Sequence, residues 1–90
     1  MDLQELRGRI DGIDDALIDL FQRRMNMANE VARYKQRHGM PILDPVREEQ
    51  KLRDLSGKAE ERYRPYVAAL YALIFELSRA EQEKTMKGAR

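Results

Sequence analysis

The sequence predicts an all-α fold: one very long helix, two shorter helices behind it, and a second copy of the chain covering what these leave bare. Three observations carry the prediction. Apolar residues at Leu3, Leu6, Ile10, Ile13, Leu17, Leu20, Met27, Val31 and Tyr34 lay one heptad seam along a helix over residues 1–38. A second stripe at helical spacing, Val67, Leu70, Tyr71, Ile74 and Leu77, lies towards the other end of the chain. The third observation is size. At 90 residues, 37% of them charged, the chain makes one domain whose solitary core would be marginal. Two short successors cannot cover so long a seam, and dimerisation along the first helix is the natural way to bury the remainder.

The first helix is expected over residues 3–37, roughly 50 Å at 1.5 Å per residue. Gly8 and Gly12 lie inside it, each costing up to about 1 kcal/mol relative to alanine. Packing must override that cost, and close approach of a partner helix would use the two glycines. His38-Gly39-Met40-Pro41 ends the helix, because glycine suits a left-handed cap and proline blocks resumption. Ile42 and Leu43 are expected to anchor the following loop in the core.

A second helix is expected over about 45–56, with Asp44 as its N-cap, Pro45 in the first helical position and Glu48-Glu49 at the positive end of the dipole. Val46, Leu52 and Leu55 give it a modest apolar face. Residues 58–64 are charged and lead into a third helix over about 61–84, with Pro65 at or near its first turn. Its apolar face runs on into polar groups, since Ile74, Ser78 and Gln82 stand at i, i+4 and i+8. The polar, basic residues 85–90 are expected to fray.

Composition narrows the function classes. Basic and acidic residues number 17 and 16, net +1, with no basic block, which disfavours a phosphate-tracking nucleic-acid surface. Without cysteine there is neither a disulfide staple nor a thiolate metal site, and the single histidine, His38, cannot build a histidine metal centre alone. No apolar run approaches the ~20 residues of a membrane span, and no signal-peptide pattern opens the chain. The expectation is a soluble, cytoplasmic helical domain that self-associates.

Cations in unexpected places point to a ligand. Arg24 occupies the seam slot between Leu20 and Met27, and Arg7 and Lys35 each follow an apolar seam residue. A core arginine is expensive unless something anionic meets it. Arg24 and Lys35, 11 residues apart, lie about 16 Å apart along the axis and can converge on one small molecule. Arg7 and Arg24, 17 residues apart, lie about 25 Å apart and cannot do so within one helix. An antiparallel two-fold dimer brings Arg7 of one subunit to the Arg24–Lys35 region of the other and makes two equivalent shared sites. The geometry suggests a carboxylate-rich ligand held across an interface. Each residue also has a structural alternative: Arg24 snorkelling or ion-paired, Arg7 and Lys35 on a solvated flank, Asp44 a cap, Glu48 a dipole partner, Ser78 and Gln82 helix cross-links.

Arg7, Arg24, Lys35, Asp44, Arg47, Glu48, Ser78 and Gln82 resemble, in order and spacing, the active-site set of the all-helical (AroQ-class) chorismate mutases. The resemblance covers roughly residues 3–82. It implies an intertwined homodimer of three-helix subunits that rearranges chorismate to prephenate, a unimolecular Claisen step in phenylalanine and tyrosine biosynthesis that needs no cofactor. It further implies that Arg24, with Arg7 from the other subunit, binds the substrate carboxylates, and that Lys35 and Gln82 donate to the ether oxygen. Glu48 would accept from the ring hydroxyl, assisted by the backbone amide of Asp44; Ser78 would support a carboxylate and Arg47 would close over the site. Some relatives carry glutamate where this chain has Gln82. Two alternatives stand beside this reading: an isochorismate pyruvate lyase on the same fold, and an inactive helical dimerisation or regulatory module.

Overall fold

The long helix begins where its cap chemistry dictates. In the computed structural model, which describes residues 1–88, the Asp2 carboxylate accepts a hydrogen bond from the backbone N–H of Glu5 at 2.8 Å, satisfying one of the orphan donors of a helix start. Helix α1 then runs over Leu3–Arg37, 35 residues, and spans nearly the whole 54 Å length of the molecule. It stops at a Schellman cap. Gly39 takes φ +63°, the Met40 N–H bonds the Lys35 carbonyl at 2.8 Å, and the Gly39 N–H bonds that of Gln36 at 3.4 Å.

A Cβ at Gly39 would meet nothing within 4 Å, so the demand for glycine there is conformational. We expect Gly39→Ala to cost about 1 kcal/mol, read as a lowered midpoint in thermal or urea unfolding.

Helix α2 covers Pro45–Lys58, two residues beyond the expected end, and the Asp44 carboxylate caps it by accepting from the Arg47 N–H at 3.0 Å. A single 3-10 turn, Glu61–Tyr63, leads into helix α3, Arg64–Gly88. The third helix therefore starts later than residue 61, with Pro65 in its first turn, where a missing N–H costs nothing. It also ends later than residue 84. Residues 85–88 are helical where fraying is expected, because α1 ties them down: Thr85 Oγ1 donates to Asn29 Oδ1 at 2.6 Å and Gln36 Nε2 donates to the Met86 carbonyl at 3.1 Å. Residues 89 and 90 of that tail lie outside the described residues.

Helix α3 packs against both α1 and α2, and the intrachain core is small. Its buried apolar members are Ala28, Ala32 and Phe75, joined by the buried polar pair Ser78 and Gln82. The core of the single chain therefore uses the face of α1 one place beyond Met27 and Val31, not the seam itself. Ile42 is half-buried, but Leu43 is exposed and does not anchor the loop; only the first of the two turns inward. In the third-helix stripe Val67, Tyr71 and Ile74 are half-buried, while Leu70 and Leu77 are exposed. From Leu3 to Leu20 every seam residue is 43–60% exposed. The radius of gyration is 16.3 Å, against about 12 Å for a compact chain of this length. Among the described residues no helix is long and apolar enough to cross a membrane.

Candidate active site

Where the C-terminal half of α1, the start of α2 and the middle of α3 meet, they enclose a cleft of about 310 Å³, at the small end of the range for small-molecule sites. Helix α1 supplies Arg24, Ala28, Val31 and Lys35, a 4-3-4 spacing that keeps all of them on one face. The first two turns of α2, with their cap, supply Asp44, Arg47, Glu48 and Lys51, and α3 supplies Phe75, Ser78, Arg79 and Gln82. The walls are largely apolar around these groups, and among the described residues the charges are unequal: five cationic side chains against two carboxylates. Such a cleft favours an anion of more than one charge.

Several of these polar groups have a partner that positions them. The Arg24 guanidinium lies 5.6 Å from the Phe75 ring centre and 5.9 Å from that of Tyr71, so two aromatic faces on α3 orient the seam cation towards the cleft. Lys35 Nζ donates to the Ile42 carbonyl at 2.7 Å, which aims the ammonium across the loop and leaves two of its three donors uncommitted. The Asp44 carboxylate caps α2 through Oδ1. Gln82 Nε2 donates to Ser78 Oγ at 3.1 Å, and Gln82 Oε1 is buried without a partner among the described residues. A hydroxyl both donates and accepts. The carboxamide can therefore turn over, keep its bond to Ser78, and offer an N–H to whatever fills the cleft.

Of the eight residues singled out from the sequence, seven line this cleft; Arg7 does not. It stands on the uncovered N-terminal part of α1 and has no place in the cleft of a single chain. Two lining cations were not singled out. Arg79 donates through Nη1 to Glu48 Oε1, bridging α3 to α2, and Lys51 follows Arg47 by one helical turn. The signal for Arg79 was present, since it shares a helix face with Phe75 and Gln82. Its partner, 31 residues away, was not.

The fold is an all-helical domain, and its cleft is cation-rich and carboxylate-poor. The chain belongs to the type II chorismate mutases, whose family model matches residues 6–83. It is 44% identical over 46 residues to the 4-amino-4-deoxychorismate mutase of Streptomyces venezuelae, covering 51% of this chain and 45% of that protein. Identity to the chorismate mutase of Methanocaldococcus jannaschii is likewise 44% over 46 residues, 51% of this chain and 46% of that one. The bifunctional chorismate mutase/prephenate dehydratase of Buchnera aphidicola is 29% identical over 87 residues, 94% of this chain but 24% of its own. The chain thus spans less than half the length of these curated relatives. No solved structure matches it significantly.

Proposed function

We propose that this protein is a chorismate mutase acting in aromatic amino acid biosynthesis in the cytoplasm. The observation that carries the reading is the convergence of Arg24 and Lys35 from α1, Arg47 and Glu48 from α2, and Ser78 and Gln82 from α3 on one cleft in a chain of this family. Chorismate is a dicarboxylate. Its rearrangement breaks the ether C–O bond as a C–C bond forms, with no proton transfer and no external nucleophile. Catalysis therefore consists of holding the folded conformer and stabilising the charge that grows on the ether oxygen. Arg24 pairs with one carboxylate through its planar fork, and Ser78 supports that binding. Lys35, with two free donors, and Gln82, through its turned carboxamide, donate to the ether oxygen. Glu48 accepts from the ring hydroxyl beside the Asp44 backbone amide, and Arg47 closes over the substrate. One relative is named for 4-amino-4-deoxychorismate, in which an amine replaces that ring hydroxyl; the hydroxyl compound is the substrate proposed here.

The second carboxylate needs another cation. In the proposed assembly, an intertwined antiparallel homodimer, Arg7 of the other subunit supplies it. The exposed seam along α1 supports this arrangement, since a solvated apolar stripe of that length is a partner surface. Placing residue 7 opposite the 24–35 stretch sets the two-fold axis close to Leu17. We therefore expect Leu17→Glu, which puts two like charges together at the axis, to abolish the dimer in size-exclusion chromatography with light scattering. A wild-type chain that runs as a monomer at micromolar concentration would refute the assembly.

The reaction itself is tested by following the loss of chorismate absorbance in the ultraviolet. Saturable conversion to prephenate is the expected result, and a rate equal to the uncatalysed background from folded protein refutes the mutase reading.

A further inference from the structure

We propose that Arg79, by pairing with Glu48, makes the cleft select a substrate whose ring carries a neutral hydroxyl over one carrying a protonated amine at the same position. The inference rests on the mutase reading above and adds a specificity-determining residue to it. Among the described residues Glu48 and Asp44 are the two carboxylates lining the cleft, and Asp44 Oδ1 accepts the Arg47 N–H that caps α2. In the mutase reading the ring substituent meets Glu48, beside the Asp44 backbone amide. Arg79 already holds it: Nη1 donates to Glu48 Oε1, with side chains 30% and 27% exposed. The pair joins α3 to α2 across 31 residues of sequence, so it is held by the fold rather than by neighbouring turns of one helix. At that burial, charges interact more strongly than in water.

The two substituents ask different things of Glu48. A hydroxyl needs one acceptor lone pair, and a carboxylate bonded to Arg79 through one oxygen retains several. An aliphatic amine is protonated at neutral pH and needs uncompensated negative charge. Arg79 has cancelled that charge, and Arg24, Lys35, Arg47 and Lys51 all line the same cleft. An ammonium placed beside Glu48 therefore enters a field that is positive on balance. Discrimination arises from repulsion of the wrong substrate rather than from an extra contact with the right one.

The test compares kcat/KM for chorismate and for 4-amino-4-deoxychorismate in wild type, Arg79→Met, Arg79→Lys and Glu48→Gln, each checked for fold by circular dichroism. Wild type is expected to prefer chorismate by at least ~100-fold. Arg79→Met keeps the apolar stem and frees the carboxylate; it should narrow the ratio by ~10-fold or more, chiefly by raising the rate on the amine. Arg79→Lys, which retains a cation, should hold the ratio within about threefold of wild type. Glu48→Gln leaves an acceptor for the hydroxyl but an uncompensated Arg79, and should widen the ratio. This opposite sign keeps the idea testable if Arg79→Met does not fold. Equal losses on both substrates, with an unmoved ratio in Arg79→Met and in Glu48→Gln, would reduce Arg79 to a helix cross-link and overturn the proposal alone. Turnover of neither substrate by wild type would overturn the mutase reading and the specificity with it.

Discussion

Lys35→Ala should lower kcat for chorismate by two or more orders of magnitude while the protein stays folded. Lys35 Nζ is held across the loop by the Ile42 carbonyl at 2.7 Å, and in the proposed reaction its remaining donors serve the ether oxygen. That oxygen carries little charge in bound chorismate and much more as the C–O bond breaks, so the interaction strengthens in the transition state and acts on kcat rather than on KM. Removing one such preorganised donor costs ~10²–10³ in rate elsewhere. The mutation also deletes the bond to Ile42, worth about 1 kcal/mol, so a modest fall in melting temperature is expected beside the kinetic loss. A variant that keeps more than about a tenth of wild-type kcat would remove Lys35 from the role of principal donor.

Arg7→Ala is the second large effect, and its pattern is more informative than its size. In the single chain Arg7 is remote from the cleft. If it completes the partner's site, Arg7→Ala should be nearly inactive alone, as is expected of Lys35→Ala. Mixing the two after unfolding and refolding together should then restore about a quarter of the wild-type sites: half of the dimers are mixed, and each mixed dimer regains one intact site and one doubly damaged site. Arg7→Ala with wild-type kcat/KM would show that the second carboxylate is met by another cation, with Lys51 and Arg47 the lining candidates. Absence of rescue from two inactive variants would place Arg7 and Lys35 in the same subunit's site and rule out the antiparallel arrangement.

Much of the helical plan was legible because its signals are local. The apolar seam, the Asp44-Pro45 start of α2 and the Gly39 stop each depend on residues within a turn or two of one another, and helical periodicity and cap chemistry act at that range. Where the sequence misled about the end of α3, longer-range contact had intervened. Residues 85–88 look like a fraying tail but hold their helix through Asn29 and Gln36 on α1. Leu43 looks like an anchor but faces solvent. The candidate site divides in the same way. Arg24, Lys35, Ser78 and Gln82 stand out by being polar on or beside apolar faces. Arg79 is one charge among many on a helix and gains meaning only when the fold sets it against Glu48.

By itself, then, the sequence determined three helices, the Gly39 stop of the first and the Asp44 cap of the second, and an apolar stripe too long for one small chain to bury, since each of these follows from residues along a single segment. Only the tertiary structure decided which face of α1 the chain covers for itself, Ala28 and Ala32 against Phe75, and which charges meet. The physical reason is that an ion pair or a cleft is a relation between segments, and its geometry comes into being only when helices far apart in sequence are packed to within a few ångströms of each other.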